Sequence, residues 1–245
     1  MQKIEFRSSP SADIIIEPFD WARFPTFLSE FPEETSPLEP VSFVLTNKAS
    51  RKIFGVAIRW MVVDAAGRER RVSLRSDSFM GYRQDPVAGP HAGILISPGA
   101  ITPEVPVGPP FLGSGRSSSS GHAEMIGKAA AVTVELDCVI FEDGEFIGHN
   151  SVGFDSEITA RYEAAMKVAK LVREALAQGK TVASALNPVI TEWQWKSDNL
   201  SEWMRRYAED VMNSHDYENM ASGLERMRKP PEFFRRGSSS ALDEN

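Results

Sequence analysis

The sequence is poor in the residues that build covalent frameworks and metal centres: it holds one cysteine, Cys138, and four histidines, His91, His122, His149 and His215. A lone cysteine excludes an intramolecular disulfide framework and any multi-cysteine zinc or iron–sulfur centre. None of the histidines stands at His-x-x-x-His or similar ligand spacing, so spacing points to no metal and no cofactor. Long apolar runs are also missing. Near the amino terminus only the triplet Ile14 to Ile16 is apolar, too short for a signal-peptide core or a spanning helix, and a cytoplasmic chain without a transmembrane segment is the default expectation. Basic charge is in deficit, with 27 Lys and Arg against 34 Asp and Glu and a net charge of −7, which makes nucleic acid an unlikely default partner. What is present is ordinary globular composition, 42% hydrophobic, enough to bury a core.

The clearest pattern runs from Val41 to Leu74. Val41, Phe43 and Leu45 alternate with Ser42, Val44 and Thr46, and the polar stretch Asn47 to Lys52 breaks the run as a turn does. A second strand follows, with Phe54, Val56, Ile58, Trp60 and Val62 on the expected core face and Gly55, Ala57, Arg59, Met61 and Val63 on the other. Asp64 to Gly67 is a hairpin turn into a more polar strand, Arg68 to Arg75. Ile94 to Gly99 reads as a strand ending in a Pro-Gly turn. Ala131 to Phe141 alternates again, placing Val132, Val134, Leu136, Cys138 and Ile140 on one face, and Glu142 to Glu145 turns it into a short strand from Phe146 to His149. Short strands at this spacing predict an antiparallel sandwich.

These strands, taken with the Ile94 to Gly99 segment and the Val132 to Gly148 hairpin, resemble the immunoglobulin- or fibronectin-type-III-like sandwiches of many uncharacterised bacterial proteins. The resemblance covers roughly Val41 to Asn150 and is architectural. It implies a binding or scaffold fold, with Trp60 in a core place on a middle strand; the paired cysteines of antibody domains are lacking, and a fold of this kind hosts unrelated functions.

Beyond Phe154 the period becomes helical. Asp155 or Ser156 offers an amino-terminal cap and Gly179 a stop for a helix over 156–178, whose stripe is Ile158, Tyr162, Ala165, Ala169, Val172 and Leu176. Pro188 predicts a short helix ending near Leu186. Asn199 and Glu202 have capping-box spacing ahead of a helix over 200–212, with Leu200, Trp203, Met204, Tyr207, Val211 and Met212 on its face. The expected class is therefore α+β, an antiparallel sandwich followed by a carboxy-terminal helical extension. Its divisions are an extended lead-in at 1–40, a sandwich domain at 41–153, a helical extension at 154–229 and a flexible tail at 230–245.

Several stretches invite chemical readings. Gly113 to Ala130 is rich in glycine and serine, but Gly121 and Gly127 stand one residue too far apart for a phosphate loop, and Lys128 is followed by Ala129 where that loop needs a hydroxyl. Gly113 and Gly115 lack the third glycine of a dinucleotide fingerprint. His122-Ala-Glu124 has the His-x-Glu of zinc deaminases without the second cysteine-bearing motif. The Ser117 to Ser120 run has no nucleophile elbow. A solvated loop accounts for the stretch, a core position for Cys138, and a local surface for the basic-aromatic run 226–236, whose arginines beside aromatics otherwise suit an acidic partner, an anionic membrane surface or nucleic acid. Asn199-Leu200-Ser201 matches a glycosylation sequon at an expected helix start and carries no weight.

With no catalytic constellation, the leading expectation is a non-catalytic binding or scaffold protein that engages another macromolecule through the sandwich or the helices 156–178 and 200–212. The alternative is an enzyme with a hydrolytic or metal site on the sandwich rim, drawing on His122, Glu124, His149 or Asp155. A third reading is a homo-oligomer joined through the Ile158 to Leu176 stripe.

Overall fold

A computed structural model describes residues 3–7, 11–20, 22–24, 38–79, 86–98, 100–103, 124–193, 198–214 and 216–235. The chain is a mixed α and β protein whose strands pair mostly antiparallel. Its contacts divide into two compact units: the described residues of 1–77, 85–152 and 232–245, and those of 78–84 and 153–231.

The first unit holds β1 (Lys3–Phe6), β2 (Ile14–Pro18), β3 (Phe43–Asn47), β4 (Ile53–Asp64), β5 (Glu69–Asp77), β6 (Gly93–Ser97), β7 (Ala100–Pro103), β8 (Ala129–Phe141), β9 (Glu145–Gly148) and β10 (Phe234–Arg235). One sheet has the order β10-β9-β8-β4-β5 with β1 also on β8; the other has the order β2-β3-β6-β7. Inside the stretch read as a lead-in, β1 lies parallel to β8 and β2 antiparallel to β3. At the other end of the chain, β10 lies parallel to β9.

Alternation sends Phe43, Leu45, Ile94 and Ile96 from one sheet and Val56, Ile58, Trp60 and Val134 from the other into a single buried cluster. Trp60 is fully buried, its ring centroid 6.4 Å from that of Phe43, and its indole N–H donates to the Val41 carbonyl at 2.9 Å. Burying a side chain of this size contributes about 3 kcal/mol, and the hydrogen bond satisfies the polar end that would otherwise oppose burial.

Two irregularities in the β4–β8 ladder correct the expected faces. Pairing shifts between Ile53 and Gly55, leaving Phe54 extra, and between Ala57 and Ile58, where β8 carries Asp137 extra. An extra residue reverses which side chains point inward beyond it. Ile53, Val139 and Phe141 therefore join the shared core, whereas Phe54, Cys138 and Ile140 are buried on the opposite side of the sheet. A period of two held through the whole strand cannot foresee this.

The second unit holds α1 (Phe154–Ala177), α2 (Val182–Trp193), α3 (Asn199–Asn213) and α4 (Tyr217–Glu225). Helix is not confined to the carboxy-terminal part: Glu124–Gly127 forms one helical turn in the first unit. The α1 helix starts before either expected cap, at Gly153 with φ of 61°, and Asp155 and Glu157 fall in its first turn, where their charge suits the positive end of the helix. It stops as the sequence suggests: Gly179 adopts φ of 64°, its N–H donates to Leu176 O, and the Lys180 N–H donates to Ala175 O.

The second helix does not end near Leu186 but continues through Pro188. Pro188 is exposed, so its ring is accommodated at solvent, and the missing N–H leaves a carbonyl of the preceding turn to water. Asp198, not Asn199, caps α3, accepting from the Ser201 N–H at 2.9 Å. The unanticipated α4 is capped in the same way by Asp216. The α1 helix packs on α2, α3 and α4, burying Ile158, Ala165, Val168, Ala169 and Val172. Among the described residues no helix is long and apolar enough to cross a membrane.

Candidate functional site

The residues singled out in the sequence are described only in part. His122, His215 and 113–123 as a whole lie outside the described residues. Glu124 sits on the short helical turn, exposed, with Lys128 Nζ at 2.6 Å holding its carboxyl below the usual carboxylate range. His149 is exposed just after β9, and Asp155 belongs to the other unit. Cys138 is buried, as a core thiol should be. Among the described residues no group of three or more His, Cys, Asp or Glu side chains could hold a metal ion. Within the sequon, Ser201 is buried and its hydroxyl donates to Asp198 at 2.6 Å.

The basic-aromatic run is tied down where it is described: the Phe234 N–H donates to Gly144 O, and an Arg235 Nη2 donates to Gly148 O at 2.7 Å.

Two charged groupings on the β-rich unit escaped the motif search. The first is internal. Arg59 on β4 and Glu135 on β8 are register partners, and the Arg59 Nη2 stands 2.9 Å from Glu135 Oε2 and 3.3 Å from Asp137 Oδ1. Arg7, just past β1, reaches the same Glu135 oxygen at 3.1 Å. Asp137, fully buried at the bulge, also accepts from the Ser151 hydroxyl at 2.6 Å and from the Val152 N–H at 3.3 Å. Gly148 lies against it: with φ of 103°, any β-carbon there would sit 2.4 Å from the Asp137 carbonyl oxygen. The cluster is chemically committed, because its acids already face cations and donors, and it fastens β1, β4, β8 and the 149–152 connection together.

The second grouping is external. Among the described residues the β5 strand ends its sheet, pairing with β4 on one side only, and it runs without a register break from Glu69 opposite Val63 to Asp77 opposite Gly55. Its exposed residues include Arg70, Arg71, Ser73 and Arg75. Arg70 and Arg71 have no ion-pair partner among the described residues. At the Glu69 end opens a groove of about 520 Å3, with Val62 and Met125 among its apolar lining and Arg68, Arg70, Glu124 and Lys128 among its charged lining. Arg68 is held by Asp64 at 2.7 Å, and that contact, with the backbone N–H groups of Arg68 and Ala66, lowers the Asp64 pKa. The sequence signal for this edge was Arg68 to Arg71 and Arg75, four arginines in eight positions of a chain whose net charge is −7. No family model, curated protein or solved structure matches this chain.

Proposed function

We propose that the chain is a non-catalytic binding or scaffold protein that engages another macromolecule through its β-rich unit, whose two sheets pack face to face as an immunoglobulin- or fibronectin-type-III-like sandwich. The packing reading is supported by the core cluster shared between the sheets and by the Phe43–Trp60 ring contact. The observation that carries the binding reading is the β5 edge, unpaired among the described residues and bearing exposed arginines, since such an edge offers a row of backbone donors and acceptors to another chain.

The helical faces at 156–178 and 200–212 supply less, because α1 and α3 pack on each other, burying Ile158, Ala165, Ala169 and Val172 of one stripe and Met204, Tyr207 and Val211 of the other, with Leu200, Trp203 and Met212 half-buried. Of the expected α1 stripe, only Leu176 is markedly exposed, at 41%. A single exposed leucine is normal for a folded surface.

Affinity capture from cell extract with the full chain and with the R71E/R75E double variant tests the proposal. A specific macromolecule retained by the full chain and lost from the variant is expected. Identical capture by both would remove the β5 edge as the binding surface.

A further inference from the structure

We infer that the open edge of β5 takes an extended acidic segment of a partner protein, which pairs with it as an added strand. This deepens the binding reading above and rests on it. Three features of the edge select that occupant. The strand is nine residues long and unbulged, so it offers an uninterrupted template of backbone groups. Arg71 and Arg75 share one face of the strand with Ser73 between them, a pair that alternate carboxylates on an incoming strand can meet, while Arg70 lies on the opposite face with Val72 and Leu74, and Glu69 and Asp77 bound the pair at the strand ends. At the Glu69 end, the neighbouring groove is lined by Arg70 together with the apolar Val62 and Met125, and its acids Asp64 and Glu124 are already paired with Arg68 and Lys128, a combination suited to a carboxylate next to an apolar side chain.

A second copy of the chain fits this edge poorly in the register of greatest overlap. In the full-length antiparallel register centred on Ser73, Arg71 would face Arg75 and Glu69 would face Asp77, placing like charges opposite one another.

The test uses a ten-residue peptide of alternating glutamate and valine, labelled for anisotropy, with a lysine–valine peptide as control. Binding by the full chain only to the acidic peptide is expected, weakening as salt rises, with about a tenfold loss of affinity in R71E/R75E and a smaller loss in R71Q/R75Q. The charge-neutral pair guards against a folding defect in the reversal variant. Hydrogen exchange should show new protection at the alternate β5 amides that face away from β4. Absence of binding, equal binding of the lysine peptide, unchanged affinity in both variants, or protection located elsewhere would each overturn the inference. A photo-crosslinking amino acid at Ser73 separates this outcome from failure of the broader reading: a macromolecule trapped there without an acidic extended segment keeps the binding role and rejects the added strand.

Discussion

The β-rich and helical units bury themselves with different materials. In the β-rich unit the core is large and branched, built on Trp60, Phe43, Phe141 and Ile58, and the buried acids Glu135 and Asp137 lie outside that apolar cluster. In the helical unit half of the buried face of α1 is alanine, with Ala164, Ala165, Ala169 and Ala175 beside Val168 and Val172, and the larger Phe154 and Ile158 fall near its amino end. Small side chains let helices approach closely, so stability there rests on backbone proximity and many shallow contacts. Large side chains across paired sheets concentrate the same stabilisation in a few residues. The units should therefore fail differently under mutation.

The largest contrast is expected at Trp60. Replacing it with alanine removes a fully buried indole and leaves the Val41 carbonyl without its donor, costing about 3–5 kcal/mol by chemical denaturation. At Gly148 the cause is geometric: alanine must adopt φ of 103° with its β-carbon 2.4 Å from the Asp137 carbonyl, and a loss of about 2–4 kcal/mol should follow, with disturbance of the Arg59–Glu135–Asp137 cluster visible in amide spectra.

In the helical unit the sensitive direction is enlargement. Ala165→Leu should cost about 1–3 kcal/mol by forcing α1 away from its neighbours, while truncation has little left to remove. If Ala165→Leu were neutral, the close-packed description of that unit would be wrong.

The smallest effect separates the units by pH. Asp210 on α3 has its pKa raised, first by desolvation and then by Glu209, with Arg206 opposing. A carboxyl whose folded pKa lies above its unfolded value takes up protons on folding, so it destabilises once the pH rises above the ordinary carboxylate range and ceases to do so below it. Asp210→Asn should therefore stabilise by a few tenths of a kcal/mol at neutral pH, the residue being exposed and screened, and the gain should vanish in acid. Asp64, lowered in the β-rich unit, has the opposite sign: its contribution is present above the unfolded pKa and is lost as pH falls through the folded one.

Where local pattern governs, the sequence is readable. The alternation around Trp60, the hairpin at Asp64 to Gly67 and the glycine stop at Gly179 depend on neighbouring residues and appear in the structure. The bulges at Phe54 and Asp137 do not announce themselves, because an inserted residue changes pairing between strands and not composition within one. The parallel placement of β1 on β8 is a contact across well over a hundred positions and leaves no local trace. Pro188 misled for a related reason: an exposed position lets a helix carry the lost hydrogen bond. The arginines of β5 were visible as polar residues of a strand, but their meaning required knowing that this strand lies at a sheet edge.

The most direct test of the binding account compares photo-crosslinking amino acids placed at Ser73 on β5 and at Thr159, an exposed position on α1. In cell extract, the account predicts a discrete macromolecular adduct from Ser73, suppressed by R71E/R75E, and none from Thr159. An adduct from Thr159 with none from Ser73 would contradict it and move the functional surface to the helical unit.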